Sequence, residues 1–285
     1  MNNAVLLKGI VKDFKDNRVL HGIDLTIKEG EVFGLLGPSG AGKTTIVKIL
    51  TGQLAPTEGE AELFTKSTGS LTGEDYKRIG VMLDNCGLYE RLTVYDNMKF
   101  FAKIYGVSMQ RVDEILKATG LYTARKTPVM KISKGMTSRL AFARAIMNDA
   151  DILFLDEPTS GLDPSTAKEI HKLLFKQKEQ GKTIFLTTHN MSEAQELCDN
   201  IALLNKGKIV EYGNPAHICR KYNEENKIVI YKKNGEEVVV GNDAEGAKIL
   251  GKLMGENQVA SMHSTEPNLE AVFIKLTGRG LEADE

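Results

Sequence analysis

Cysteine is scarce in this chain: three residues in 285, Cys86, Cys198 and Cys219, odd in number and far apart. No two stand as Cys-x-x-Cys, which argues against a zinc site or a disulfide framework and predicts reduced thiols. Long apolar runs are missing as well. No segment approaches the roughly 18 apolar residues of a membrane span, so any membrane connection has to be made by another chain. The opening MNNAVLLKGIVKDF holds only a short apolar run, broken by Lys8 and Lys12, and does not read as a signal peptide. An excess of either charge is lacking too. Lys+Arg number 37 and Asp+Glu 38, a formal net charge of −1, so the whole-chain balance carries no sign of nucleic-acid binding. There is no long internal repeat and no low-complexity segment. What is present, 41% hydrophobic residues over this length, suffices for a full core and for a main domain with an appendage.

The pattern along the chain reads as strands alternating with helices. NNAVLLKGIVKDF, IDLTIKEG and EVFGLLG read as strands bounded by Gly, Asn or Asp. Ile46, Val47, Ile49 and Leu50 fall at helical spacing. From about 90 to 148 the pattern is mostly helical. DILFLDE is a short, nearly all-apolar run of the kind buried on both faces of a sheet. STAKEIHKLLFKQKEQG reads as a helix, KTIFLTTH as a strand, MSEAQELCD as a helix and IALLNKGKIVEYG as a hairpin. This alternation predicts an α/β fold with a largely parallel sheet. After about Tyr222 the texture changes: Asn234-Gly235 between two β-rich arms predicts a hairpin, and DAEGAKILGKLMG and PNLEAVFIKLTG look helical. The tail reads as a small α+β appendage.

Glycine is concentrated in VFGLLGPSGAGKTTIVKIL, Val32 to Leu50. Gly37-Pro38-Ser39-Gly40-Ala41-Gly42-Lys43-Thr44, followed by Thr45, fits G-x-x-x-x-G-K-[ST] between a strand and a helix. Glycines let backbone N–H groups wrap phosphates, and the helix N-terminus favours the anion. Lys43 is expected to contact the β- and γ-phosphates, and the Thr44 hydroxyl to ligate Mg²⁺. The bland reading is a glycine-rich turn that binds nothing. A second half of such a site needs a carboxylate at the end of a buried strand, and ILFLDEP supplies one. Asp156 is placed to hold the metal through water, and Glu157 to orient and activate the attacking water; the bland reading of this pair is a solvated loop entry.

Taken in order, the phosphate loop, ISKGM, ILFLDEPTSGLD and TTH resemble the ATP-binding cassette (ABC) transporter ATPases over roughly residues 3–218. The resemblance implies a P-loop NTPase core with an antiparallel β subdomain and a helical subdomain at about 88–148, and it divides the chain into a nucleotide-binding domain, 1–218, and an accessory α+β region, 219–285. It also implies site residues. Asp163 ends a loop along a dimer interface. His189, directly after TIFLTT, reaches the γ-phosphate. In Ile132-Ser133-Lys134-Gly135-Met136, Ser133 and Gly135 touch the γ-phosphate of the opposite subunit, and the helix that follows adds a positive dipole end. Lys134 and Met136 depart from the commonest signature and resemble the branch that exports drugs, antibiotics or peptides through a separate permease. Lys134 reads either as solvated or as a phosphate or ribose contact. Phe14 stands where the family stacks an aromatic ring on adenine; the competing reading places it in the core.

Asp84 stands where the family carries a glutamine that touches Mg²⁺ or the water. Asp is shorter and accepts only, so either the metal or pH dependence is altered or the position tolerates Asp unchanged. Just beyond it, Leu88, Tyr89 and Leu92 are expected to offer an apolar groove to a coupling helix of the permease, or to be core of the helical subdomain. The resemblance thus implies an ATP- and Mg²⁺-dependent ATPase, paired as a homodimer or heterodimer, without nucleic acid, cytoplasmic and held at the inner face of the cell membrane by its permease. Two other classes stand beside it: a soluble ABC ATPase of DNA repair or translation, which generally carries long coiled coils or two cassettes in one chain, and a non-hydrolysing ATP sensor. The tail from Glu266 to Gly280 resembles those of drug-exporter ATPases and suggests dimer stabilisation or regulation.

Overall fold

A computed structural model of the chain describes residues 2–15, 17–83, 87–224 and 226–278. Strand β1 (Asn3–Phe14) turns into β2 (Asn17–Lys28), antiparallel to it, and their alternating Val5, Leu7, Ile10, Ile23, Leu25 and Ile27 are buried. This is the period-2 burial of a half-solvated sheet. The second strand begins six residues before the Ile23 at which the sequence pattern starts it. Its outer half, Asn17 to Gly22, offers only the adjacent pair Val19 and Leu20 as apolar residues, with Leu20 fully buried, and is held as a strand by pairing such as Val11 with His21 and by the Arg18–Asp13 ion pair at 2.8 Å.

β3 (Val32–Leu36) is buried at all five positions and leads through the phosphate loop into α1 (Lys43–Leu50). β4 (Glu58–Leu63) and the short β5 (Lys66–Ser67) complete a four-stranded sheet in the order β2-β1-β4-β5. The sequence pattern does not announce β4, because its Glu58-Gly59-Glu60 start faces solvent and only Ala61 and Leu63 are buried, opposite Leu7 and Val5. α2 (Gly73–Lys77) and β6 (Ile79–Met82) lead to the helical region. That region holds α3 (Val94–Tyr105), α4 (Met109–Ala118) and α5 (Lys134–Ala145), with N-caps Thr93, Ser108 and Ser133. Each cap oxygen accepts a backbone N–H that the helix itself leaves unpaired.

The chain returns through β7 (Ile152–Asp156), α6 (Pro164–Glu179), β8 (Thr183–Thr188), α7 (Met191–Leu197), β9 (Asn200–Asn205) and β10 (Lys208–Gly213). These strands form a second sheet in the order β10-β9-β3-β8-β7-β6, parallel throughout except for β10. The strand order sets β3, β8 and β7 side by side. Their C-terminal ends therefore release Gly37, His189 and Glu157 at one edge, where open α/β sheets bind ligands. Phe33, Phe154 and Phe185 lie fully buried on these three strands, with ring centroids 5.4 and 5.5 Å apart.

A second compact unit begins at Pro215, not at 219 as the family boundary suggests. The reason is α8 (Pro215–Lys221), whose Ile218 and Cys219 are buried and which packs with α10 (Leu269–Thr277) of the same unit. Between them lie β11 (Lys227–Lys232), β12 (Glu237–Gly241), α9 (Ala244–Gly255) and β13 (Val259–Ser264). The strands make an antiparallel sheet in the order β12-β11-β13, with Ile230, Val240 and Leu253 as its core. Asn234-Gly235 turns the β11–β12 hairpin, with Gly235 at φ 87°. β13 is absent from the sequence reading because nearly all its residues are exposed and show no alternation.

Candidate nucleotide site

Backbone approach dictates the phosphate loop. A Cβ on Gly37 would lie 2.3 Å from the carbonyl oxygen of Leu204 on β9, so any side chain there forces the backbone to shift. Gly42 sits at φ 109° as the N-cap of α1, a conformation open in practice to glycine. As a result α1 starts with no side-chain cap, and its first N–H groups are left for an anion. Lys43, 8% exposed, turns its ammonium inward. Nζ donates to Gly37 O at 2.7 Å and Pro38 O at 3.2 Å, and stands 3.4 Å from Glu157 Oε1. Ser39, Gly40 and Thr44 are exposed and Thr45 is half-buried, whereas Ala41 packs into the core and its N–H donates back to Pro38 O.

Two carboxylates close the other side. Asp156, at the buried end of β7, accepts from Thr44 Oγ1 at 3.1 Å through Oδ2, and from the Thr187 hydroxyl through Oδ1. A hydroxyl and a carboxylate are the hard oxygen donors that Mg²⁺ takes while keeping water and phosphate in its other positions, so the pair fits that ion. Glu157 adopts φ 50°, which is uncommon for a residue with a side chain. Its N–H donates to Thr187 O at 3.1 Å, and its Oε2 lies 2.8 Å from His189 Nδ1. The phosphate loop, Lys48, Asp156 and Glu157 line a cleft of about 530 Å³.

The sequence profile described as ABC transporter matches residues 20–160. A fluoroquinolones export ATP-binding protein of Mycobacterium tuberculosis is 40% identical over 92% of this chain and 88% of its own. This chain belongs to the ABC transporter family. A Nod factor export ATP-binding protein I of a Rhizobium species is 34% identical over 98% of both chains. Among solved structures, a dimeric ATP-binding cassette in a post-hydrolysis state, bound to ADP and Pi, superposes with TM-score 0.67 at 31% identity, over 74% of this chain and 98% of that one. The protein is thus an ATP-binding, ATP-hydrolysing subunit of the export type of ABC transporter.

Other residues singled out in this ABC ATPase lie away from the cleft lining. Ser133 is the exposed N-cap of α5, its Oγ accepting from Met136 N at 3.2 Å. Gly135 abuts α6: a Cβ there would stand 2.7 Å from Thr166 Cγ2. Lys134 Nζ rests over Gly161, so ISKGM and SGLD touch within one chain. Asp163 caps α6 through Ser165 N, Thr166 N and the Thr166 hydroxyl. The Thr166 hydroxyl, followed by the Thr166 N–H, holds the Asp163 carboxyl below its usual range. Phe14 is 45% exposed near the tip of the β1–β2 hairpin, with Lys12 Nζ 5.2 Å from its ring centroid; that exposure removes the core reading of Phe14. Asp84 lies outside the described residues.

Three polar residues escaped the sequence reading. Thr187 anchors both Asp156 and Glu157; its signal was a threonine pair inside the apolar TIFLTT. Asn97, fully buried, bonds Tyr89 N at 2.8 Å and Tyr89 O at 3.0 Å and so pins the loop before α3. Glu193, buried in α7, had no local signal at all: only the fold brings its hydrogen-bond donors together.

Proposed function

We propose that this subunit works as one of a pair, each protomer completing the other's ATP site, and that closure and reopening of the pair drive a separate export permease. The observation that carries the reading is the meeting of Lys43, Asp156, Glu157 and His189 at the ends of three adjacent strands, beside an uncapped helix N-terminus. The dimeric relative bound to ADP and Pi supports the pairing, and the relatives named for fluoroquinolone and Nod factor export support the exporter assignment.

In this reading the β- and γ-phosphates take the free N–H groups of α1. Lys43 exchanges the Gly37 and Pro38 carbonyls and Glu157 for phosphate oxygens. Thr44 and Asp156 would hold Mg²⁺, which when bound neutralises charge on the triphosphate. Glu157, released by Lys43, orients water and accepts its proton. The water oxygen bonds to the γ-phosphorus as the bond to the β–γ bridging oxygen breaks, and ADP leaves. His189 Nδ1 faces Glu157, so Nε2 is the nitrogen that meets the γ-phosphate. From the opposite protomer, Ser133 still has a hydroxyl proton to donate, since its Oγ acts as acceptor in the cap. Asp163 and Gly135 lie at the same interface, and Phe14, already exposed, stacks on adenine. Positioning and charge neutralisation supply the rate.

The permease docks, in this reading, on the apolar surface of the helical region. Tyr89, Leu92 and Phe100 are 49%, 37% and 42% exposed, and Tyr89 and Phe100 meet edge to face at 5.0 Å. No helix among the described residues is long and apolar enough to cross a membrane. The unit from Pro215 onward serves dimer stabilisation or regulation.

ATPase rates of wild type and Glu157→Gln, with gel filtration in ATP, test the core of this reading. Glu157→Gln is expected to lose at least about 100-fold in kcat while binding ATP and eluting as a dimer. A wild-type rate no higher than the variant's would favour the ATP-sensing alternative.

A further inference from the structure

We propose that Glu193 is a positioning residue for hydrolysis, its buried carboxylate tying the turn that carries Glu157 to the strand end that carries His189. Glu193 is 3% exposed, and three donors from three different elements converge on it. Thr159 Oγ1, two residues beyond Glu157, donates to Oε1 at 2.6 Å. Thr188 Oγ1, the residue before His189, donates to Oε2 at 2.8 Å. His171 Nε2 of α6 lies 2.9 Å from Oε1, and its Nδ1 is buried without a hydrogen bond, 3.8 Å from Glu196 Oε2. Thr188 Oγ1 also accepts from Asn190 N at 3.0 Å, and the Asn190 side chain caps Glu193 N at 3.1 Å. The short turn from Thr188 to Glu193 is thereby a closed ring of bonds.

A carboxylate accepts only, and hydrogen bonds to an ionised acceptor are the stronger kind. That matters most at Glu157. Its φ of 50° is strained for a residue with a side chain and persists only where neighbours over-determine it. Thr187 grips its N–H from one side. The Thr159–Glu193 bond grips the turn from the other, and the same carboxylate holds Thr188. The 2.8 Å contact between Glu157 and His189 is therefore set by a residue that lines none of the cleft. The inference rests on Glu157 as the general base.

The test uses the full chain and four variants: Thr159→Val, Thr188→Val, the two combined, and Glu193→Gln. Valine keeps the shape of threonine, so folding survives where Glu193→Ala could fail. Each valine variant is expected to lower kcat about tenfold with KM for ATP within about twofold, because the displaced groups act on the water and the γ-phosphate and not on the phosphate loop. The double variant is expected to fall no more than about threefold further, since either break frees the two loops from one another. Glu193→Gln, which keeps one acceptor oxygen, is expected to retain more activity than the double variant. Valine variants with lowered melting temperature but kcat within about twofold of wild type would overturn the proposal, as would a double variant whose losses simply multiply. Glu157→Gln run in parallel separates the two failures. Full activity there removes the base assignment itself, whereas an inactive Glu157→Gln beside active valine variants removes only the role of Glu193.

Discussion

Replacing Gly37 by alanine tests how closely the phosphate loop is moulded on the sheet. Gly37 directly follows β3, and an added Cβ would stand 2.3 Å from Leu204 O and 3.3 Å from both Leu204 C and the Ala41 Cβ. An ordinary carbon–oxygen contact is about 3.3 Å or longer, so one side has to retreat by about 1 Å. Leu204 cannot: β9 is paired between β10 and β3, and its Ile201 to Leu204 are fully buried. The displacement therefore falls on the phosphate loop, including the Gly37 carbonyl that receives Lys43. Overpacking of this kind destabilises by about 1–3 kcal/mol, which lowers the melting temperature of a unit this size by about 2–12 °C. A phosphate cradle moved by an ångström is expected to weaken ATP at least about tenfold. Thermal melts without nucleotide and calorimetric titration with ATP read the two effects separately. Gly73→Ala, where an added Cβ meets nothing within 4 Å, is the matched control. A Gly37→Ala protein melting within about 1 °C of wild type and binding ATP as tightly would refute the argument.

Two further outcomes follow from groups outside the cleft. Burial pushes the Cys198 and Cys219 thiols up, and the thiolate is the reactive form, so an Ellman titration of the folded protein is expected to find at most one of the three cysteines reactive; a second fast thiol would contradict the packing of α7 or α8. Asp75, bonded first by the Lys66 ammonium and then by Thr72, and Asp163, bonded by Thr166, are held below the ordinary carboxylate value of 3.8. Their stabilisation is present above that pH and is lost as pH falls through the folded values, so the gap in melting temperature between wild type and Asp75→Asn is expected to narrow below about pH 4, and a gap that widens would reverse the sign.

Legibility in the sequence tracked locality. The phosphate loop, Asp156, Glu157 and His189 were readable because each stands at or directly after the end of an apolar strand, and Gly42 because its φ of 109° at the start of α1 calls for glycine. The α/β alternation was readable because β3, β7 and β8 are buried on both faces and carry continuous apolar runs, with threonine or aspartate only at their ends. β4 and β13 were not, since β4 alternates only at Ala61 and Leu63 and β13 shows no alternating burial: Glu58-Gly59-Glu60 and Ala260 to Ser264 face solvent and are strands because β1 and β11 offer them partners. The domain boundary shifted from 218 to Asn214 for a similar reason, a short helix taking its unit from what it packs against rather than from its own residues.

The amino-acid sequence by itself determined the nucleotide chemistry, because phosphate binding needs glycines, a lysine and a carboxylate at short, fixed spacings that any reader of the chain can count. Only the tertiary structure decided which groups act on one another. Lys43 meets Glu157 across 114 positions at 3.4 Å, and Thr159 meets Glu193 across 34 at 2.6 Å, because the strand order β3-β8-β7 folds distant strand ends together. A hydrogen bond depends on distance in space, and spacing along the chain does not report it.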